Sequence, residues 1–389
     1  MDKTTSSTVQ LELDVPDIDV VPSEDKLPVD RYDIIYYVRA RYCNPNGDPD
    51  MDNQPRQDPN SGHGLMSPQS LKRRIRDHIE QLVHAVRSGK LEFDKELDSK
   101  LVSLLNPDLE DRTRGYHIYV KASCNLRTRE QFANALHVTA GGNLEEIPRH
   151  ELLCKYFYDV RAFGSVITMG ASAGKGKKSG KGKKANAEQA SEEQSEGDNQ
   201  GSSRDQAGMQ LIGPVQMSFG WSLEPINILR IGCTGPSRED PGIEGLEKMF
   251  DPEQVLEEER KLKETNTGKI RTMGHGYVVD DAVYRFQISV SPFQAVNTGF
   301  NGTDLALLLL ALKRWPDWWK TSSKTGMEHV RAFVFKHGSK YGNMPIWQIQ
   351  EKLDETLEET GTTIDQVDPK ALAEKLKGEL GGNIEIFVL

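Results

Sequence analysis

Four basic residues, Lys72, Arg73, Arg74 and Arg76, fall within five positions, directly after a loop rich in Asn, Gly, Pro and Asp. Their chemistry is anion binding, and their placement sharpens it. Ser67 is a good N-cap and Pro68 suits a first helical position, so a helix opens just before the cations. The first turn of a helix already offers free N–H groups to an anion. Lys and Arg are unfavourable there unless an anion offsets the dipole. Gly62 and Gly64, just before the cap, leave room for a ligand backbone to approach. A charge run on a helix is ordinarily a solvated face, so the rest of the chain must say whether an anion binds, and which.

The same stretch holds a second kind of chemistry. Asp48, Asp50 and Asp52 have the D-x-D-x-D rhythm of a calcium loop, but its sixth position is Asn53 rather than Gly and its twelfth Pro59 rather than Glu. No metal is expected there. Asp48 and Asp58 suit loop scaffolding through Asx turns. The four cysteines, Cys43, Cys124, Cys154 and Cys233, are far apart and form no CxxC pair, so neither a zinc site nor a disulfide framework is expected. No cofactor is implied.

The net charge of −10 argues against nucleic acid only if it is evenly spread. It is not: acid concentrates in residues 1–30, 237–264 and 346–389, whereas 265–345 is basic. The first residues lack a basic n-region and an apolar h-region, and the longest apolar run, Leu305 to Leu312, is too short to span a bilayer. A cytoplasmic protein with no membrane partner is expected.

The elements that position these residues read as follows. Residues 1–29 are an acidic arm. Tyr32 to Ala40 is a buried strand feeding the Asn44 loop. Leu71, Ile75, Ile79, Leu82 and Val86 then recur at helical spacing to a stop at Gly89, with Lys72 and Arg76 flanking the stripe and Arg73 nearly opposite it. Tyr116 to Ala122 alternates as a strand. Cys154 to Met169 carries Asp159, Arg161, Phe163 and Ser165, where a cation beside an aromatic suits base stacking; a partly buried strand with a structural ion pair is the plainer possibility. Residues 170–208 are a flexible Lys-rich insertion.

Farther on, Gly213 to Leu223 reads as one strand, with Gln216 on one face, and Asp251-Pro252 opens a charged helix. Lys269 to Gly276 is a basic, Gly-rich turn, and Tyr277 to Ser291 a strand. A helix over 304–320 carries Trp315, Trp318 and Trp319, a cluster that suits core or interface. Arg331 to Lys336 is a strand. Two helices, stopped at Gly361 and Gly381, form an acidic C-terminal segment over 346–389. There is no regular βαβ rhythm and no Walker or Rossmann glycine pattern, which predicts α+β with an antiparallel sheet and large insertions.

The first block, NPNGDPD followed by PRQDPNSGHGLMSPQSLKRRIR, resembles the Cas seven family of CRISPR systems, and more narrowly the Csd-type backbone subunit of type I-C Cascade. The resemblance continues through YDVRAFGSV, GPVQMSFGWSLEPI, TMGHGYVVDDAVYRF and RAFVFKHGSKYGN, and covers roughly residues 30–345. It implies an RRM-like (ferredoxin-like) palm of the RAMP type, with inserted finger and thumb elements. It also implies copies assembled head-to-tail along the CRISPR guide RNA, pairing of that guide with target DNA, and partner subunits of the Cas five and Cas eight types in antiviral defence.

A subunit that holds any guide must read phosphate, sugar and shape. At the family-matched positions the basic, polar and aromatic candidates are Asn46, Arg56, His63, Lys72, Arg73, Arg76, Arg161, Phe163, Ser165, Gln216, Arg271, Met273 and His275. The resemblance implies a noncatalytic subunit. The alternative is a RAMP-type endoribonuclease, with Asp48, Asp50 or Asp58 as a loop aspartate or His63 as a general base.

Overall fold

The computed structural model describes residues 29–88, 115–167, 209–236, 249–265, 271–318 and 320–389. The acidic arm up to residue 28, the Lys-rich insertion 170–208, the Gly89 stop and Trp319 lie outside the described residues.

Strand β1 (Tyr32–Cys43) is β-branched and aromatic, and both of its faces are buried. Such a strand belongs inside a sheet. It pairs antiparallel with β10 (Arg271–Val290) on one side and β11 (Met327–His337) on the other. Strands β8 (Gly220–Pro225) and β4 (His63–Met66) continue the sheet beyond β10, and β12 (Ile384–Val388) closes it beside β11. Helix α1 (Pro68–Ser88) lies between β1 and β8 in the chain, and α7 (Gly302–Trp318) between β10 and β11. The spatial order β11-β1-β10-β8 makes these elements a β-α-β-β-α-β unit. The protein is α+β around one large antiparallel sheet.

The two faces of that sheet have different covers. Ile34, Tyr36, Val38 and Ala40 pack with Leu71, Ile75, Ile79 and Leu82 of α1 and with the Leu305–Leu312 run of α7. The Leu305–Leu312 run of α7 is apolar on all sides, and it is buried as that pattern requires. Trp315 donates to the Tyr36 hydroxyl at 2.9 Å, so that member of the tryptophan cluster is core, whereas Trp318 is 45% exposed. Among the described residues no single helix is long and apolar enough to cross a membrane.

Ile35 and Tyr37 face the other way, against Ile349 and Leu353 of α8 (Ile346–Thr360) and Leu372 and Leu376 of α9 (Pro369–Leu380). Tyr37 lies between Arg285 and Arg331 on the neighbouring strands. An aromatic between cations on an open sheet would suit stacked bases. Here the helices and their connection fill that face: Arg285 donates to both Asp354 oxygens at 2.8 Å, Arg39 pairs with Asp365 at 3.0 Å, and Arg331 donates to the Ile364 and Val367 carbonyls.

Several local expectations are corrected. Tyr116–Ala122 is not a strand; only His117 forms a bridge, to Phe157. The backbone N–H groups of Tyr119 and Val120 donate instead to the Asp159 carboxylate, which removes them from any ladder. This segment belongs to an insertion containing α2 (Leu126–Thr139), α3 (Arg149–Tyr156) and α4 (Tyr158–Phe163), with its own core of Tyr119, Ala133, Leu152, Leu153 and Phe157. Residues 154–156 and 158–163 are therefore helical, with only Phe157 extended between them. Only β5 (Gly164–Ile167), opposite β6 (Met209–Ile212), is a strand there.

The expected single strand 213–223 is two, β7 (Val215–Met217) and β8, and both pair with β10. The expected turn over 269–276 is, from Arg271 on, the first part of β10, paired in register with β9 (Ile228–Pro236). Residues Arg271–Val278 pair with β9 alone and run past the end of β1, an extension of about 25 Å at the usual strand rise. Helix α5 (Pro252–Thr265) lies between the two ribbon strands in sequence.

Candidate nucleic-acid interface

Helix α1 begins as read: Ser67 Oγ accepts from the Ser70 N–H at 3.2 Å, and the cations occupy the first turns. The loop before it is braced from within. Asn46 Oδ1 accepts from the Ser67 N–H at 2.8 Å, the Asn46 carbonyl accepts from Arg56, and the Arg56 carbonyl accepts from Leu65. Arg56 pairs with Asp48 at 3.3 Å, while Asp48 and Asp58 cap their own turns by accepting from the Asp50 and Asn60 N–H groups. His63 Nδ1 lies 2.8 Å from the Ser222 carbonyl, on the β4–β8 pairing.

Lysine 324 pins the start of the loop, donating to the carbonyls of Asn44 and, at 2.8 Å, Pro45. Burial and the neighbouring Arg74 push its ammonium down to about 8. No local pattern singles out Lys324; its role comes from the pairing that brings residues 323–326 beside Arg41 and Asn44.

Lys72, Arg76 and Phe163 come together. Lys72 Nζ lies 5.2 Å and Arg76 Cζ 5.1 Å from the centre of the Phe163 ring. Two cations one helical turn apart thus share one aromatic ring. Burial and Arg76 hold the Lys72 ammonium below the ordinary lysine range, and no carboxylate pairs with Lys72 among the described residues. Arg74 is likewise depressed by burial. Arg73, on the other flank, pairs with Asp77 at 2.8 Å. Arg76 is paired with Asp159, whereas Lys72 is desolvated and faces no described carboxylate, so the site gains by taking an anion beside Lys72.

The ribbon reaches the same loop. His275 Nε2 lies 2.6 Å from Asp52, and Met273 beside it is 87% exposed. Arg271 pairs with Pro236 through the backbone, and its side chain lies outside the described residues. Ser165 lies on β5 opposite Leu211, and Gln216 on β7 donates to the Gly213 carbonyl at 2.8 Å.

Two candidates are corrected. Arg161 is 1% exposed and bonded to Asp304 and to the Gly115 and Cys154 carbonyls, so its cation is consumed inside the fold. Phe163 is 7% exposed with its ring taken by Lys72 and Arg76, so it orients cations and offers no face to a base. Asp159 holds Arg76 at 2.8 Å; the sequence places it beside Arg161, and nothing in its spacing points to α1. Among the described residues no group of three or more His, Cys, Asp or Glu side chains could hold a metal ion.

A chain of a CRISPR RNA-guided surveillance complex, pre-nicking, aligns over 91% of this chain and 90% of its own with TM-score 0.40 and 13% identity. A chain of another CRISPR RNA-guided surveillance complex aligns over 92% and 88% with TM-score 0.38 and 12% identity. The CRISPR-associated protein Cas7 of Haloferax volcanii is 34% identical over 105 residues, which is 25% of this chain and 31% of that relative's length. The family profile of CRISPR-associated protein Cas7 matches residues 30–372, nearly the whole span from the first strand into α9, and the chain belongs to that family.

Proposed function

We propose that this chain is the noncatalytic, guide-RNA-binding backbone subunit of a type I-C-like Cascade complex in the cytoplasm. Copies line up head-to-tail along the CRISPR RNA, beside subunits of the Cas five and Cas eight types, and leave base edges free to pair with target DNA. The observation that carries this reading is the Lys72–Phe163–Arg76 cluster: two cations on one ring in the first turns of α1, with Lys72 desolvated and facing no described carboxylate. Such a site takes a phosphate and ignores the base attached to it, as a subunit serving every spacer must. The filled second face of the sheet supports the same assignment, because α8 and α9 cover it and leave no open stacking surface there.

The endoribonuclease alternative asks Asp48, Asp50 or Asp58 to serve as a loop aspartate, or His63 as a general base; Asp50 is exposed, and its N–H donates to Asp48. Asp48 is occupied with Arg56 and the Asp50 N–H, Asp58 with Ser61 and Asn60, and His63 with Ser222. Those bonds favour scaffolding. The deciding experiment is purification with a co-expressed CRISPR array. A large particle carrying one intact, discrete RNA is expected; a small RNA-free protein that shortens added RNA overturns the proposal.

A further inference from the structure

Asp159 sits at the start of α4 with its side chain fully buried, and every contact it makes is with a donor. Oδ1 accepts from the Tyr119 N–H at 2.7 Å; Oδ2 accepts from the Val120 N–H at 3.0 Å and from Arg76 Nε at 2.8 Å. The two backbone bonds fix the carboxylate, so it in turn fixes the guanidinium. Arg76 is held only by its Nε edge, with its plane near Phe163; its two Nη groups donate to no described residue, and the side chain keeps 12% exposure. A guanidinium clamped on one edge presents the other as a preorganised fork, the geometry that suits a phosphate.

From this we infer that Asp159 is a positioning residue for RNA binding: it aims the Nη edge of Arg76 at a backbone phosphate. The inference rests on the phosphate-binding reading of the Lys72–Arg76 site and adds an element that charge alone would not suggest. Removing a carboxylate from beside a phosphate site should strengthen binding if only Coulomb attraction mattered. Positioning requires the opposite sign.

The test uses the full chain, a labelled single-stranded RNA oligomer of arbitrary sequence, and the variants Asp159→Asn, Arg76→Ala and the double, with thermal melts run alongside. Arg76→Ala should weaken binding about tenfold, the scale of one charge-assisted contact. Asp159→Asn should weaken it several-fold and lower the slope of log affinity against log salt by about one, as loss of one phosphate contact does. The double variant should bind no worse than Arg76→Ala, because Asp159 acts through Arg76. Asp159→Asn binding as tightly as wild type or tighter, or an equal loss in the Arg76→Ala background, overturns the positioning role while leaving the phosphate site intact. Arg76→Ala binding like wild type overturns both. If Asp159→Asn fails to fold, Arg76→Lys decides: it keeps the charge and loses the clamped fork, so it must bind more weakly than wild type, and wild-type affinity overturns the inference.

Discussion

The guanidinium of Arg161 and the carboxylate of Asp304 meet through two hydrogen bonds, at 3.0 and 3.2 Å, with 1% and 0% side-chain exposure and 143 positions between them. This pair ties the short helix α4 to α7. Removing one partner strands a buried charge, so Arg161→Met should cost about 3–5 kcal/mol in urea unfolding. RNA affinity of the folded Arg161→Met protein at low temperature should match wild type, since Arg161 touches no surface. A selective loss of RNA affinity without loss of stability would contradict this.

Lys72 and Arg73 are adjacent but face different environments, Lys72 on Phe163 without an acid and Arg73 beside Asp77. Lys72→Ala should therefore weaken RNA binding for every sequence alike and reduce the salt slope by about one. Arg73→Ala should do markedly less. Titrations of unrelated RNA oligomers at several salt concentrations check both expectations.

His78 of α1 is 2% exposed, neither ring nitrogen has a hydrogen-bond partner, and its ring meets Trp318 edge-on at 5.1 Å. Burial, with Arg314 nearby, pushes its pKa down to about 4; burial does the same to His329. The unfolded chain protonates both near their ordinary value of about 6.5. The unfolded state thus binds more protons between these values. Stability is fully present above pH 6.5 and falls as pH drops toward 4, by up to about 1.4 kcal/mol per pH unit for each histidine. His78→Leu removes an unpartnered polar ring, and urea unfolding at pH 7 and pH 5 should show a smaller difference than in wild type.

The contact of His275 with Asp52 is the described polar tie between the ribbon and the loop. Asp52→Ala should speed hydrogen exchange at Met273 to Tyr277 while leaving β1 amides protected. Unchanged exchange in the ribbon would mean that the β9–β10 pairing alone holds it.

The sequence by itself determined what local rules determine. Ser67 and Pro68 set the start of α1, and Leu71, Ile75, Ile79 and Leu82 set its buried stripe, because a cap and a helical period act within one or two turns. Tyr32–Ala40 had to be an interior strand, and Gly361 and Gly381 ended their helices at positive φ, as glycine allows. The cluster of cations was equally legible. What each cation does was not. Arg161 looks as exposed in sequence as Arg76, yet one is neutralised by Asp304 on α7 and the other is aimed by Asp159. Residues 116–122 alternate like a strand, but the same Asp159 captured their N–H groups. Tyr37, Arg285 and Arg331 could have formed an open base-stacking face until α8 and α9 folded over them. Each of these outcomes depends on a partner tens to hundreds of positions away, and only the tertiary pairing of strands and helices chooses that partner.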